Sequence, residues 1–180
     1  MADKTNCGGL SMQAFKYLEF LFEDTGPFKL KLLDKVLGLA IPFNRPHGFK
    51  LLEMGKDEII VEIPYRRINF NHLKGIHACA MATAGEYAAG LLLLKNFPPQ
   101  KYRIIMSHLD VKYTYQGKMA LFVKSTIGPE MRMQAENEID EKQITVITMT
   151  SQITDKKGND VATVQSTWQL KPWTKVKTKL

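Results

Sequence analysis

At 180 residues the chain is long enough for one well-buried domain and too short for two comfortable ones. Hydrophobic content of 44% and charged content of 24% are those of an ordinary soluble globular protein. The net charge of +7, from 25 Lys and Arg against 18 Asp and Glu, either suits an anionic partner or reflects a solvated surface with a basic tail.

The start, MADKTNCGGL, lacks the apolar core of a signal peptide, and a reducing cytoplasm is the expected setting. Of the two cysteines, Cys7 lies in this start and Cys79 far along the chain, which argues against a disulfide framework. In SMQAFKYLEFLFED, over 11–24, Met12, Phe15, Leu18 and Phe22 keep helical spacing. A second helix follows in GPFKLKLLDKVLGLAIP, with Pro27 in its first turn and Pro42 as its stop. GFKLLEMG and DEIIVEIPYRR read as paired strands about a Gly55-Lys56-Asp57 turn.

A polar loop, RINFNHLKG, leads into a long alanine-rich helix over 77–95. Its apolar run, 78–94, is broken by Thr83 and Glu86 and is dense in Ala and Gly, so no transmembrane segment is expected. After Pro98-Pro99 the period becomes two: Leu109, Val111, Tyr113 and Tyr115 alternate with polar residues. A Gln116-Gly117-Lys118 turn leads to MALFVKST, where Met119, Leu121 and Val123 share a face. Gly128-Pro129 opens a short charged helix, PEMRMQAENEIDEK. Two last strands flank a Lys156-Lys157-Gly158 turn, and Ala162, Val164, Ser166, Trp168 and Leu170 alternate on one face. The layout is α+β: one antiparallel sheet covers one long apolar helix.

That helix is roughly 28 Å long. Its small residues make it thin, and it is apolar nearly all round, so the sheet of one chain leaves a face for a second subunit. Glu86 stands alone among alanines. It is either a rim residue bonded to a Tyr or Lys, or a desolvated general base. His77 and Glu86 are nine residues apart, half a turn beyond two full turns, and roughly 13 Å apart along the axis. They cannot act on one atom within a subunit, which again argues for a homodimer.

The run Asn71, Gly75, His77, Glu86 resembles the motif of hotdog-fold acyl-CoA thioesterases of the PaaI-like group. There an Asn precedes by six residues the His at the central helix start, and an acidic residue follows nine later. The N-terminal helices and the Asp155…Gly158…Val161-Ala162 turn are most similar to an uncharacterised branch of that group. The resemblance implies one hotdog domain over 1–180. It divides into a helical extension (1–47), a core (48–170) and a basic tail (171–180). It also implies that Glu86 activates water or attacks directly, and that Asn71 orients the water or the thioester. The backbone N–H groups of Ala78 and Cys79, beside His77, would polarise the carbonyl. The site is composite across a homodimer, or a tetramer built of dimers, and the substrate is an acyl-CoA or acyl-carrier thioester. The family usually has Gly-Gly after the His, where this chain has Ala78-Cys79, and commonly Asp where this chain has Glu86. The alternative is a non-catalytic acyl-CoA or fatty-acid binding protein. A further hotdog resemblance, to hydroxyacyl-thioester dehydratases, rests on the fourteen residues from His72 to Glu86, but HLKGIHACAM lacks their proline-rich turn.

No nucleotide, P-loop or zinc motif is present, and no cofactor or metal is expected. Cys79 reads as a small packing residue, or as a helix-start thiolate. Arg66 and Arg67, just upstream of the Asn71 loop, suit either the phosphates of CoA or the solvent. The tail KPWTKVKTKL carries Lys171, Lys175, Lys177 and Lys179 and reads as a solvated basic tail or an acidic-lipid or nucleic-acid binder, although no nucleic-acid partner is expected.

Overall fold

The computed structural model describes residues 26–176. The expected helix over 11–24, Cys7, Lys177 and Lys179 lie outside the described residues. Helix α1 runs Pro27–Ala40, with Pro27 at a position whose N–H needs no helical partner. Leu30, Leu33 and Leu37 recur at three- and four-residue spacing and are buried. Strands β1 (Lys50–Met54) and β2 (Glu58–Ile63) form the expected antiparallel hairpin, closed by Gly55 N–H donating to the Glu58 carbonyl at 2.8 Å. The strand ends earlier than DEIIVEIPYRR suggested. Pro64 has no N–H for the ladder, and 64–67 turn away into a loop.

Helix α2 is Ala78–Asn96, followed by β3 (Tyr102–Tyr113), β4 (Leu121–Thr126), helix α3 (Pro129–Lys142), β5 (Thr145–Asp155) and β6 (Asp160–Pro172). The six strands form one sheet in the order β1-β2-β4-β5-β6-β3, every pair antiparallel. The Gln116-Gly117-Lys118 turn does not join neighbours, because β3 lies at the edge beside β6 while β4 lies between β2 and β5. Met119 falls before β4 rather than within it.

The inward side chains follow from register. Val61 opposes Val123, Val123 opposes Ile153, and Ile153 opposes Ala162. One step along, Ser125 opposes Ser151, which opposes Val164. All of these are buried, so the alternation in each strand faces the same side. Helix α2 lies across that side against β2, β4, β5 and β6. The small row beneath it lets the backbones meet: Ser151 Oγ donates to the Gly85 carbonyl at 2.9 Å, and a Cβ on Gly85 would fall 2.5 Å from Val164 Cγ2. Asp155 ends β5 by accepting from the backbone N–H groups of Lys157 and Asn159, and Gly158 takes φ 83° in the turn.

Replacing a mid-helix Gly by Ala ordinarily stabilises a helix by about 1 kcal/mol. Here overpacking outweighs that gain, and Gly85→Ala is expected to lower the unfolding free energy by about 2 kcal/mol net in urea denaturation. Adding Val164→Ala recovers only part of the loss, since Val164 Cβ itself would lie 2.6 Å from the new Cβ. Equal or higher stability of Gly85→Ala would show that the helix and sheet separate freely.

Candidate active site

The start of α2 is built by the loop before it. Asn71 Oδ1 accepts from the backbone N–H groups of Leu73 and Gly75 at 2.9 and 3.0 Å, an Asx turn that lets Lys74 adopt φ 59°. Both donors are N–H groups, which identifies the accepting atom as oxygen and leaves the Asn71 amide NH₂ without an acceptor among the described residues. Gly75 is buried, and a Cβ there would press on Gln116 and Gly117. Two backbone bonds pin the next residues: Ile76 N–H to the Gly117 carbonyl (2.8 Å) and His77 N–H to the Asn69 carbonyl (2.7 Å).

His77 is the N-cap of α2, and its Nδ1 accepts from Cys79 N–H at 3.0 Å. Nδ1 is therefore unprotonated, and the neutral ring carries its proton on Nε2. The Cys79 N–H is thus already engaged, while Ala78 N–H has no acceptor among the described residues. Cys79 itself is exposed rather than packed, since it opens the half-exposed stripe through Ala82, Thr83, Glu86, Gly90 and Leu94. The Tyr113 hydroxyl donates to the Ala78 carbonyl at 2.9 Å, and burial, then the nearby Cys79, raises its pKa. Asn71, His77, Ala78 and Cys79 therefore form one cluster. Arg66 and Arg67 are exposed in the same loop, with Arg66 lying against Gly48. His72 is exposed in the Asn71 turn.

Glu86 lies apart, midway along α2. It makes no hydrogen bond or ion pair with any described residue, and burial raises its pKa above the usual 4.5. Its carboxylate borders a 230 Å³ cavity with Ile41, Phe43, Leu91, Leu94, Ile104 and Trp168. A wider cavity of 410 Å³ adjoins it under α1, and Asn44 and Tyr87 border both. Tyr87 is buried with a raised pKa, caused by burial and then by Asp34 and Glu86.

Sequence reasoning missed this second half. Asp34 left a trace, since it adjoins the Leu30, Leu33, Leu37 stripe as its one carboxylate. Its Oδ1 accepts from Leu51 N–H at 2.9 Å, and burial lifts its pKa from 3.8 to about 6 despite that bond and Lys50. Asn69 also went unread: its side chain is fully buried, donates to the carbonyls of His47 and Pro64, and ties the extension to the Asn71 loop. Among the described residues no group of three His, Cys, Asp or Glu could hold a metal, and no helix is long and apolar enough to cross a membrane.

A family model described as a domain of unknown function, DUF4442, matches residues 30–170. No curated protein matches the chain. Among solved structures, a Pseudomonas aeruginosa protein of unknown function described as a probable thioesterase is 22% identical, over 79% of this chain and 95% of that one, with TM-score 0.73. A protein of unknown function from Chlorobaculum tepidum is 13% identical over 81% and 96% of the two chains, with TM-score 0.68. The thioesterase HI1161 of Haemophilus influenzae is 10% identical over 88% and 99%, with TM-score 0.67. These likenesses show the fold, a long helix wrapped by an antiparallel sheet: the hotdog fold.

Asp34→Asn tests the buried carboxylate on α1. The folded state holds the Asp34 proton more tightly than the unfolded chain, so its contribution is complete below pH 3.8 and lost as pH rises through about 6. Asn keeps an acceptor for Leu51 N–H. Asp34 is half-exposed, so solvent screening limits the gain to about 1 kcal/mol at pH 7. Urea titrations should find the variant more stable than wild type at pH 7 and indistinguishable at pH 4.

Proposed function

We propose that this chain, which belongs to the DUF4442 family, hydrolyses acyl thioesters of CoA or a carrier protein. The observation that carries the reading is the Glu86 carboxylate: partly buried, unpartnered, of raised pKa, and facing an apolar cavity on a hotdog scaffold. Structural neighbours described as thioesterases add support by analogy.

In this reading Glu86 takes a proton from water, which attacks the thioester carbon. Ala78 N–H and His77 Nε2–H, at the positive end of α2, receive the developing oxyanion. The free amide NH₂ of Asn71 orients the water or the thioester, and Arg66 and Arg67 meet the CoA phosphates. The helix start and Glu86 lie roughly 12 Å apart along one helix, so the working site joins Glu86 of one chain to the helix start of another. Two features support that pairing: the half-exposed stripe of α2, and the edge strand β3 with Ile105 and Met106 exposed.

A second reading, an acyl-binding protein without hydrolysis, is favoured by the engaged Cys79 N–H and by the Ala78 methyl where close approach of a carbonyl is needed. Thiol release from a panel of acyl-CoAs separates the two. Wild type is expected to release thiol, with a rate that rises with pH as Glu86 ionises, at a midpoint above 4.5. Glu86→Gln should lose about 100-fold or more. No release from any acyl-CoA, or equal release by both proteins, rejects hydrolysis and leaves binding.

A further inference from the structure

The cavity beside Glu86 is shaped by residues that the hydrolase reading does not use. Trp168 is one of its lining residues. Trp168 Nε1 donates to buried Ser166 Oγ at 2.8 Å, which locks the indole. The ring reaches over Gly90, where a Cβ would lie 3.1 Å from Trp168 Cη2 and 3.8 Å from Glu86 Oε1. Gly90 thus leaves room for indole and carboxylate to border one space. Leu94 and Ile104 form the walls, and Phe43, from the segment that follows α1, forms a rim that is 71% exposed.

Tyr87 closes the polar end. It is only 8% exposed, it borders both cavities, and its hydroxyl bonds to no described residue. The hydroxyl therefore opens onto the cavity, where a ligand oxygen can accept from it. The ionisable groups facing it from the packed elements are Glu86 on its own helix and Asp34 on α1, with Lys35 and Arg45 also on the wider cavity.

We infer that this cavity seats a straight-chain acyl group of medium length, with the Tyr87 hydroxyl donating to the ligand oxygen and the segment after α1 limiting the chain. The inference rests on the acyl-thioester reading above for the class of ligand. At about 30 Å³ for each water-sized group, 230 Å³ holds roughly seven or eight methylene-sized groups. Short chains leave the apolar lining unfilled, and longer ones run out past the exposed Phe43, where each added methylene gains less. The N-terminal extension is therefore a specificity element, and Tyr87 is a positioning residue.

Binding is measured apart from hydrolysis with neutral primary amides of straight-chain acids, from butanamide to dodecanamide, which carry the carbonyl but meet no charge repulsion from Glu86. The full chain with Trp173→Phe leaves Trp168 as the single tryptophan, and Trp173 is itself partly exposed. Trp168 emission is expected to change on binding. Affinity should rise about fourfold per methylene and stop rising near octanamide. Tyr87→Phe should weaken every amide by a similar factor, about three- to tenfold, without moving the break. Leu94→Phe should move the break to shorter chains. An unchanged emission, an affinity independent of chain length, or a break unmoved by Leu94→Phe overturns the inference. Length-dependent binding without thiol release upholds it and removes the hydrolase reading. Thiol release indifferent to chain length does the reverse.

Discussion

The backbone of α2 meets β5 and β6 through the hydrogen of Gly85, with Val164 on one side and the Ser151 hydroxyl on its carbonyl. At that separation no methyl fits between helix and sheet. The contact sets how deeply the helix sits, and therefore which of its residues are enclosed and which remain on its open stripe. Large buried side chains lie to either side of that contact, at Met81 before it and at Leu91, Leu92 and Leu93 toward the helix end. Glu86, one residue past the point of closest approach, is carried round to the partly open side rather than into the sheet. A carboxylate can remain there only because that side borders a cavity and not a packed wall.

The start of the same helix is organised by different physics. Four orphan N–H groups and a partial positive charge gather at an α-helix N-terminus, and here they are divided between structure and availability. His77 takes the Cys79 N–H, while Ala78 N–H meets no acceptor among the described residues. The Asn71 oxygen is consumed in shaping the turn, which leaves its NH₂ as the half of the amide that can act elsewhere. Asn69, buried below, holds the loop to the His47 and Pro64 carbonyls. The segment around His47 and the loop before α2 are thus held together through Asn69.

That coupling sets the described end of the N-terminal extension beside the cavities. It brings Asp34 toward Tyr87, and it supplies Ile41, Phe43 and Asn44 to the cavities that flank Tyr87 and Glu86. Desolvation pushes the protons of Asp34, Glu86 and Tyr87 in one direction, toward retention, and the two carboxylates each oppose ionisation of the phenol.

Much of the fold was legible in the residues taken in order. The switch from helical to alternating period after Pro98-Pro99, Gly128-Pro129 at a helix start, and the Asp155…Gly158 turn are local signals whose physics acts within a few residues. The separation of Glu86 from the helix start is likewise a matter of helical rise alone, with His77 standing as the N-cap just before Ala78. Strand order was not legible: the turn at Gln116-Gly117-Lys118 reads the same whether the chain pairs locally or crosses to β2 and β5. Nor was the cavity side of the site, because Asp34, Phe43, Tyr87 and Trp168 share no spacing and meet only when the sheet curls the chain around α2. The sequence by itself determined, within the described residues, most of the helix and strand segments and that Glu86 sits midway along the long helix that His77 opens. Tertiary packing alone decided that Cys79 is exposed and that Glu86 and Tyr87 border hollow space, since burial depends on where distant segments come to rest.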